Sequence, residues 1–223
     1  GASDFTGAPA VAATEPVGQL RARWRAPSGA ALDVQGARTV LDATPLLLRN
    51  RVVRAEGAAQ RERLVALGVR ARASARVGTP SSGGDRNRRT ALGAALARAA
   101  GPLGDLSAGV QTIAFDHPTT RGYFAAERVL LADVGTYLER ESARGVTVVL
   151  DAGVGAQRVR RFGEGTSPWE GTGRLWGQLA LPVGVGRALL VEVDAYDGGA
   201  GRVGPGAGRW RWFSAAVGAR WAI

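Results

Sequence analysis

Apolar and polar residues alternate one for one along most of the chain. The last segment shows it best. Phe213, Ala215, Val217, Ala219, Trp221 and Ile223 fall on one side of an extended backbone, and Ser214, Ala216, Gly218 and Arg220 on the other. Successive side chains of a β-strand point to opposite faces, so this period predicts a strand with one apolar face and one small or polar face. The pattern recurs upstream. Leu189, Val191, Val193 and Ala195 alternate with Glu192, Asp194 and Tyr196, and Leu175, Leu179 and Leu181 with Arg174, Trp176 and Gln178. Val148, Leu150, Ala152 and Val154 alternate with Thr147, Asp151, Gly153, Gly155 and Gln157. Leu130, Ala132, Val134 and Leu138 alternate with Asp133, Gly135, Tyr137 and Glu139, and Leu106, Ala108 and Val110 with Ser107, Gly109 and Gln111. Val65, Leu67, Val69, Ala71, Ala73 and Ala75 alternate with Arg70, Arg72, Ser74 and Arg76. Near the start, Leu20, Ala22 and Trp24 alternate with Arg21, Arg23 and Arg25. The Ala-rich run 91–100 has helical composition, but the Gly101-Pro102 turn after it and the hairpin series around it predict a strand.

The segments between strands alternate in length. Reading back from the C-terminus, 196–208 is long, 182–187 short, 160–172 long, 140–145 short, 116–127 long, 99–103 short and 78–87 long. Then 57–63 is shorter, 38–46 longer and 26–30 short. Outer-membrane barrels combine short periplasmic turns with longer extracellular loops; a Greek-key sandwich has no reason to alternate in this way. Eleven segments lie between Val17 and Ile223. An even-numbered barrel needs one more, expected from 3–13 despite Pro9; together with 47–56, it is the most irregular of the expected strands.

The expectation is therefore all-β: a closed antiparallel transmembrane up-and-down β-barrel of about twelve strands, with 1–223 as a single outer-membrane domain. A soluble sandwich also alternates. Here, however, charged residues sit in mid-strand on the polar face, and the apolar face is built from Ala, Val and Leu rather than the large aromatics of a packed core. No run of about twenty apolar residues predicts a transmembrane helix.

Composition adjusts this picture only slightly. The net charge is +10, and all 29 basic residues are Arg. They are dispersed over many strands rather than gathered in a stripe, so a nucleic-acid partner is not expected. Outer-membrane lipid, lipopolysaccharide and anionic polymers suit dispersed guanidinium groups better. The absence of Cys excludes disulfides and thiolate metal sites, and one His cannot build a metal centre, so no cofactor is expected. The chain lacks an initiating Met and any secretory apolar region, so it is expected to be processed or a fragment.

The polar face supplies the candidate site. Its lumen-lining residues would be Arg21, Arg23, Arg25, Arg70, Arg72 and Arg76 from the first half of the chain. From the second half come Asp133, Tyr137, Glu139, Asp151, Gln157, Arg174, Trp176, Gln178, Glu192, Asp194 and Arg220. Basic residues dominate the early set and acidic ones the late set. Closure of a barrel would bring the two together, either as a conduit with a transverse field or as an ion-paired plug. Nine aromatics, Trp24, Trp176, Trp210, Trp212, Phe213, Trp221, Tyr123, Phe124 and Phe162, fall mostly near strand ends, where interfacial girdles would put them. Trp176 and Trp212 point inward by parity. His117 raises the possibility of a lipid-hydrolysing triad, but no serine is adjacent to it in sequence, and the chain is not expected to be an enzyme.

Gly122-Tyr123-Phe124, followed by Glu127-Arg128-Val129-Leu130, resembles the Gly-Tyr-Phe-Ser-Pro loop and strand in the C-terminal barrel family of the cellulose-synthase outer-membrane subunit, with Ala125-Ala126 in place of Ser-Pro. The segments 151–157, 173–177 and 194–197 and the terminal strand also look like that family. The resemblance covers roughly the last half of the chain. It implies an outer-membrane channel exporting an anionic or neutral polysaccharide, with a periplasmic helical-repeat partner. This chain has no tetratricopeptide period of its own. The terminal strand also resembles an outer-membrane assembly signal, with Ile223 in place of the final aromatic.

Overall fold

The computed structural model describes residues 2–4, 14–40, 50–121, 123–198 and 210–221. Fourteen strands account for most of them: β1 (Ala2–Asp4), β2 (Thr14–Pro16), β3 (Gly18–Arg25), β4 (Ala31–Val40), β5 (Val53–Ala66), β6 (Val69–Ser82) and β7 (Asp85–Arg86). They continue with β8 (Arg89–Ala99), β9 (Asp105–Phe115), β10 (Arg128–Glu141), β11 (Thr147–Arg160), β12 (Glu170–Gly184), β13 (Arg187–Gly198) and β14 (Trp210–Trp221). The helical content of the described residues is one 3-10 turn, Gly101–Leu103. β3 to β14 form one twelve-stranded antiparallel sheet in chain order, with the short β7 attached only to β6. Residues 91–99 lie in strand β8, as the Gly101-Pro102 turn and the surrounding hairpin series predict.

Every short turn lies at one end of the sheet and every long connection at the other. The turns 26–30 and 142–146 share one frame. Ala26 N donates to Ala30 O and Gly29 N to Ala26 O; Ser142 N donates to Val146 O and Gly145 N to Ser142 O. In each turn the fourth residue is a glycine at positive φ, 79° and 75°, where a side chain is disfavoured.

Three expected boundaries were misplaced. The strand expected to run from Val65 to Arg76 is broken by a two-residue turn at Leu67 and Gly68, with φ of 50° and 74°. A type I′ hairpin turn needs positive φ at both positions. Gly68 takes it freely, but Leu67 gives no turn signal. The turn expected at 57–63 is instead the middle of β5, where Gly57 stays extended between Gly36 and Val77. The long connection expected at 78–87 is also shorter, because β6 runs on to Ser82 and pairs with β7.

Of the expected twelfth strand, Ser3 and Asp4 pair with Glu15 and Thr14 in a separate two-stranded sheet, while 5–13 lies outside the described residues. The segment 47–56 is strand only from Val53 onward, with 41–49 likewise outside them. β3 and β14 end the strand order and do not pair with each other.

Burial is inverted relative to a soluble protein. Along β4, β8 and β9, Leu32, Val34, Leu92, Leu96, Leu106 and Val110 are exposed, whereas Asp33, Gln35, Ser107 and Gln111 are half-buried. Val110 and Val134 are 54% and 55% exposed in mid-strand, whereas Gln157 is 1% exposed. The buried cluster of Ala126, Val129 and Val159 is small and sits at the long-loop end.

Candidate functional site

Residues paired in register share a face, so the ladder assigns both faces without reference to burial. One row runs from Trp24 through Leu32, Arg61, Ala73, Ala94, Val110 and Ala132 to Ala156. Its face is apolar in every strand of the meander. Most arginines on it lie toward the strand ends: Arg38, Arg128, Arg158 and Arg160 near the long loops, Arg63, Arg98, Arg140 and Arg187 near the short turns; Arg61 is an exception, in the same row as Val110. Trp24 and Trp221 are exposed on this face near the short-turn end.

The opposite face carries all seventeen expected lining residues. Near the first edge, Arg21 Nε donates to Asp33 at 2.9 Å. Arg72 Nη2 donates to Glu62 at 3.0 Å, and Arg70 reaches over β8 to Asp105 on β9. Of the early arginines, Arg21, Arg70, Arg72 and Arg76 thus pair with nearby Asp33, Asp105, Glu62 and Glu56, not with the late acidic set. Parity along β4 and β5 could have placed Asp33 and Glu62 on this face from sequence.

In the second half, Arg174 bridges Asp133 on β10 and Asp151 on β11, the latter at 3.2 Å. It lies flat because the sheet beneath it carries no side chain: a Cβ on Gly153 would come within 2.9 Å of its Nη1. Tyr137 Oη donates to Glu139 at 3.0 Å, and Gln178 Nε2 to Glu192 at 3.3 Å. Trp176 and Arg220 share the face, and Trp212 occupies a register position on it opposite Tyr196. Arg25 and Asp194 form no ion pair among the described residues.

At the long-loop end, the connection 116–127 folds back onto this polar face. Phe115 N donates to Ala126 O, and Phe124 packs against the Ala126–Val129–Val159 cluster. Gly122 lies outside the described residues. Asn87, fully buried, ties the connection down: its Nδ2 donates to His117 O at 2.6 Å, and its Oδ1 accepts from Asp116 N and His117 N. Sequence reading missed Asn87, and also Arg54, Glu56 and Arg89, which meet close by. Glu56 has Arg89 at 3.1 Å and Arg54 and Arg76 at 3.8 Å.

Both ring nitrogens of His117 meet carbonyls, Nδ1 that of Pro118 at 3.0 Å and Nε2 that of Arg86 at 3.2 Å, with Asp85 at 3.6 Å. Neither faces a serine hydroxyl. Ser82 donates to Asn50 O and Ser167 to Pro168 O, so the triad finds no support in this geometry. The carbonyls of Pro118 and Arg86, and then Asp85 and Asp116, hold the imidazolium above its ordinary 6.5. The resulting stabilisation is complete below the unfolded value and fades as pH rises through the folded one. Because His117 is the chain's single histidine, its NMR titration is unambiguous. The midpoint should lie above 6.5, and a midpoint at or below that value would show that these carbonyl contacts do not form.

No group of three or more His, Asp or Glu residues suited to a metal occurs among the described residues. Comparison with family models, curated proteins and solved structures finds no match.

Proposed function

We propose that this chain is an outer-membrane β-barrel whose polar face lines a lumen, acting as a pore or export channel for a polar polymer such as a polysaccharide. The observation that carries the reading is that apolar residues are exposed in mid-strand, as at Val110 and Val134, whereas Asp33, Glu62, Asp133 and Gln157 on the other face are half-buried or buried. Soluble monomers seldom expose contiguous apolar patches beyond a few hundred Å². Hydrocarbon requires such a surface, and it also requires every backbone group to be paired, which an open sheet edge does not allow. Ten of the eleven long strands have 10–15 residues, enough for a tilted crossing of about 9–11. Outward arginines at the ends of the apolar band suit headgroups.

Eleven strands in a meander leave β3 and β14 running the same way. One more strand, antiparallel to both, would complete an even-numbered ring. Arg23 and Arg25 on β3 and Asp194 on β13 put opposite charges near the two edges that closure would join.

Polysaccharide as the solute, the periplasmic helical-repeat partner and the contacts with lipopolysaccharide rest on the resemblance and on the arginine distribution. A second reading, a structural barrel with a sealed lumen, is favoured by the ion pairs Arg70–Asp105 and Arg174–Asp133, which reach across an intervening strand. Planar-bilayer recording of the purified protein separates the two. Stepwise conductance is expected. A silent bilayer containing correctly inserted protein would remove the conduit and leave the sealed barrel.

A further inference from the structure

We infer that the outward face between β5 and β10 holds a site for one anionic diacyl glycerophospholipid, with its phosphate on Arg61 and Arg63. The inference rests on the membrane reading above. Its first ground is charge. From β4 to β12, the short β7 aside, the outward positions of the ladder carry arginines and no Asp or Glu. The carboxylates of these strands turn to the polar face, so an outward guanidinium meets no counter-charge on its own face. Arg61 and Arg63 are both exposed, and neither makes a hydrogen bond or an ion pair among the described residues. An outward arginine at a strand end reaches water by extending its side chain. Arg61 is not at an end: it shares a row with Ala73, Ala94 and Val110. In hydrocarbon a guanidinium so placed needs an anion, and a phosphate supplies one through charge-assisted, bidentate hydrogen bonds.

The second ground is shape. An open apolar groove of about 1010 Å³ begins at Arg61 and Arg63 and crosses the sheet over Ala71, Ala73, Ala94 and Ala132. Leu96, Val110 and Val134, each about half exposed, project beside it. The four strand spacings from β5 to β10 give it a length of about 19 Å. That exceeds the roughly 15 Å depth of one leaflet's hydrocarbon, so an extended acyl chain fits. A second groove of about 780 Å³ adjoins the first, sharing Leu96, Ala108, Val134 and Val154 with it, and has room for the second chain. A cationic head beside two apolar troughs matches an anionic lipid with two tails. The occupant is a phospholipid rather than lipopolysaccharide because Arg63 lies toward the short turns, which face the periplasm in barrels of this kind, and phospholipid forms that leaflet.

Native mass spectrometry of the detergent-solubilised chain, with phosphatidylglycerol or phosphatidylcholine of matched acyl chains, tests it. One phosphatidylglycerol should bind at least about tenfold more tightly than phosphatidylcholine, and replacing both arginines, Arg61→Gln with Arg63→Gln, should abolish that preference. Ala94→Phe fills the groove and should weaken phosphatidylglycerol with both arginines in place. Because the two arginines are exposed and unpaired, the double variant should melt at the parent's temperature in the absence of lipid, which separates lost binding from lost folding. Equal affinity for the two lipids, a double variant that keeps the preference, Ala94→Phe binding like the parent, or displacement of phosphatidylglycerol by an equimolar amount of lipopolysaccharide would each overturn the assignment. Flotation with phosphatidylcholine vesicles checks the membrane reading separately. A chain that floats yet shows no lipid preference loses only this site; a chain that stays in solution loses both.

Discussion

Val110→Arg lowers the folding free energy in lipid vesicles by about 2–4 kcal/mol, measured by denaturant titration. Val110 is central in β9, on the apolar face and more than half exposed. At an exposed site in water the same change falls within about 0.5 kcal/mol of zero, since the long side chain simply hydrates. In hydrocarbon the guanidinium must either desolvate or drag water into the bilayer. Arg98→Ala is the control: Arg98 lies on the same face but close to the short-turn end, where a charge reaches water, and its removal should be nearly neutral. If Val110→Arg proves neutral as well, the outward face does not meet lipid and the membrane reading fails.

Gly104→Ala should destabilise by about 4 kcal/mol, and Gly101→Ala by only about 1 kcal/mol, although both glycines belong to the same short turn. Gly101 has φ of 59° and open space around it. Gly104 has φ of 77° and ψ of −146°, a region open essentially only to glycine. A Cβ there would also come within 2.2 Å of Tyr137 O and 2.9 Å of Leu138 Cα, both backbone atoms of β10 that cannot swing aside. The expected consequence is displacement of β10 from the turn, read as a lower unfolding midpoint and a lower yield of folded protein in vesicles. Equal effects at the two positions would mean that the turn does not press against β10.

The face assignments were legible in the sequence because they depend on a local property. Side-chain direction in a strand is set by each residue's own backbone, so parity alone put Arg174, Asp133, Asp151 and the other residues of the polar face on one side. The number of long strands and the length alternation of their connections followed from the same pattern. The turn at Leu67 and Gly68 was not legible, because a Leu at positive φ is tolerated only where flanking strands already pair around it. Loop residues carry no period, so nothing in the sequence marked Asn87 as the fully buried tie for 116–119, or Tyr123 as a cavity wall.

Alternation therefore established a many-stranded antiparallel sheet with one apolar and one charged face, because period two is written into every strand separately. Tertiary structure alone decided which charges meet. Arg174 reaches Asp133 because register sets Gly153 and Gly135 side by side beneath it, an alignment between different strands. It also decided that Arg54, Arg89 and Tyr123 surround one cavity, since strand ends and a long connection far apart in the chain become neighbours only once the sheet has formed.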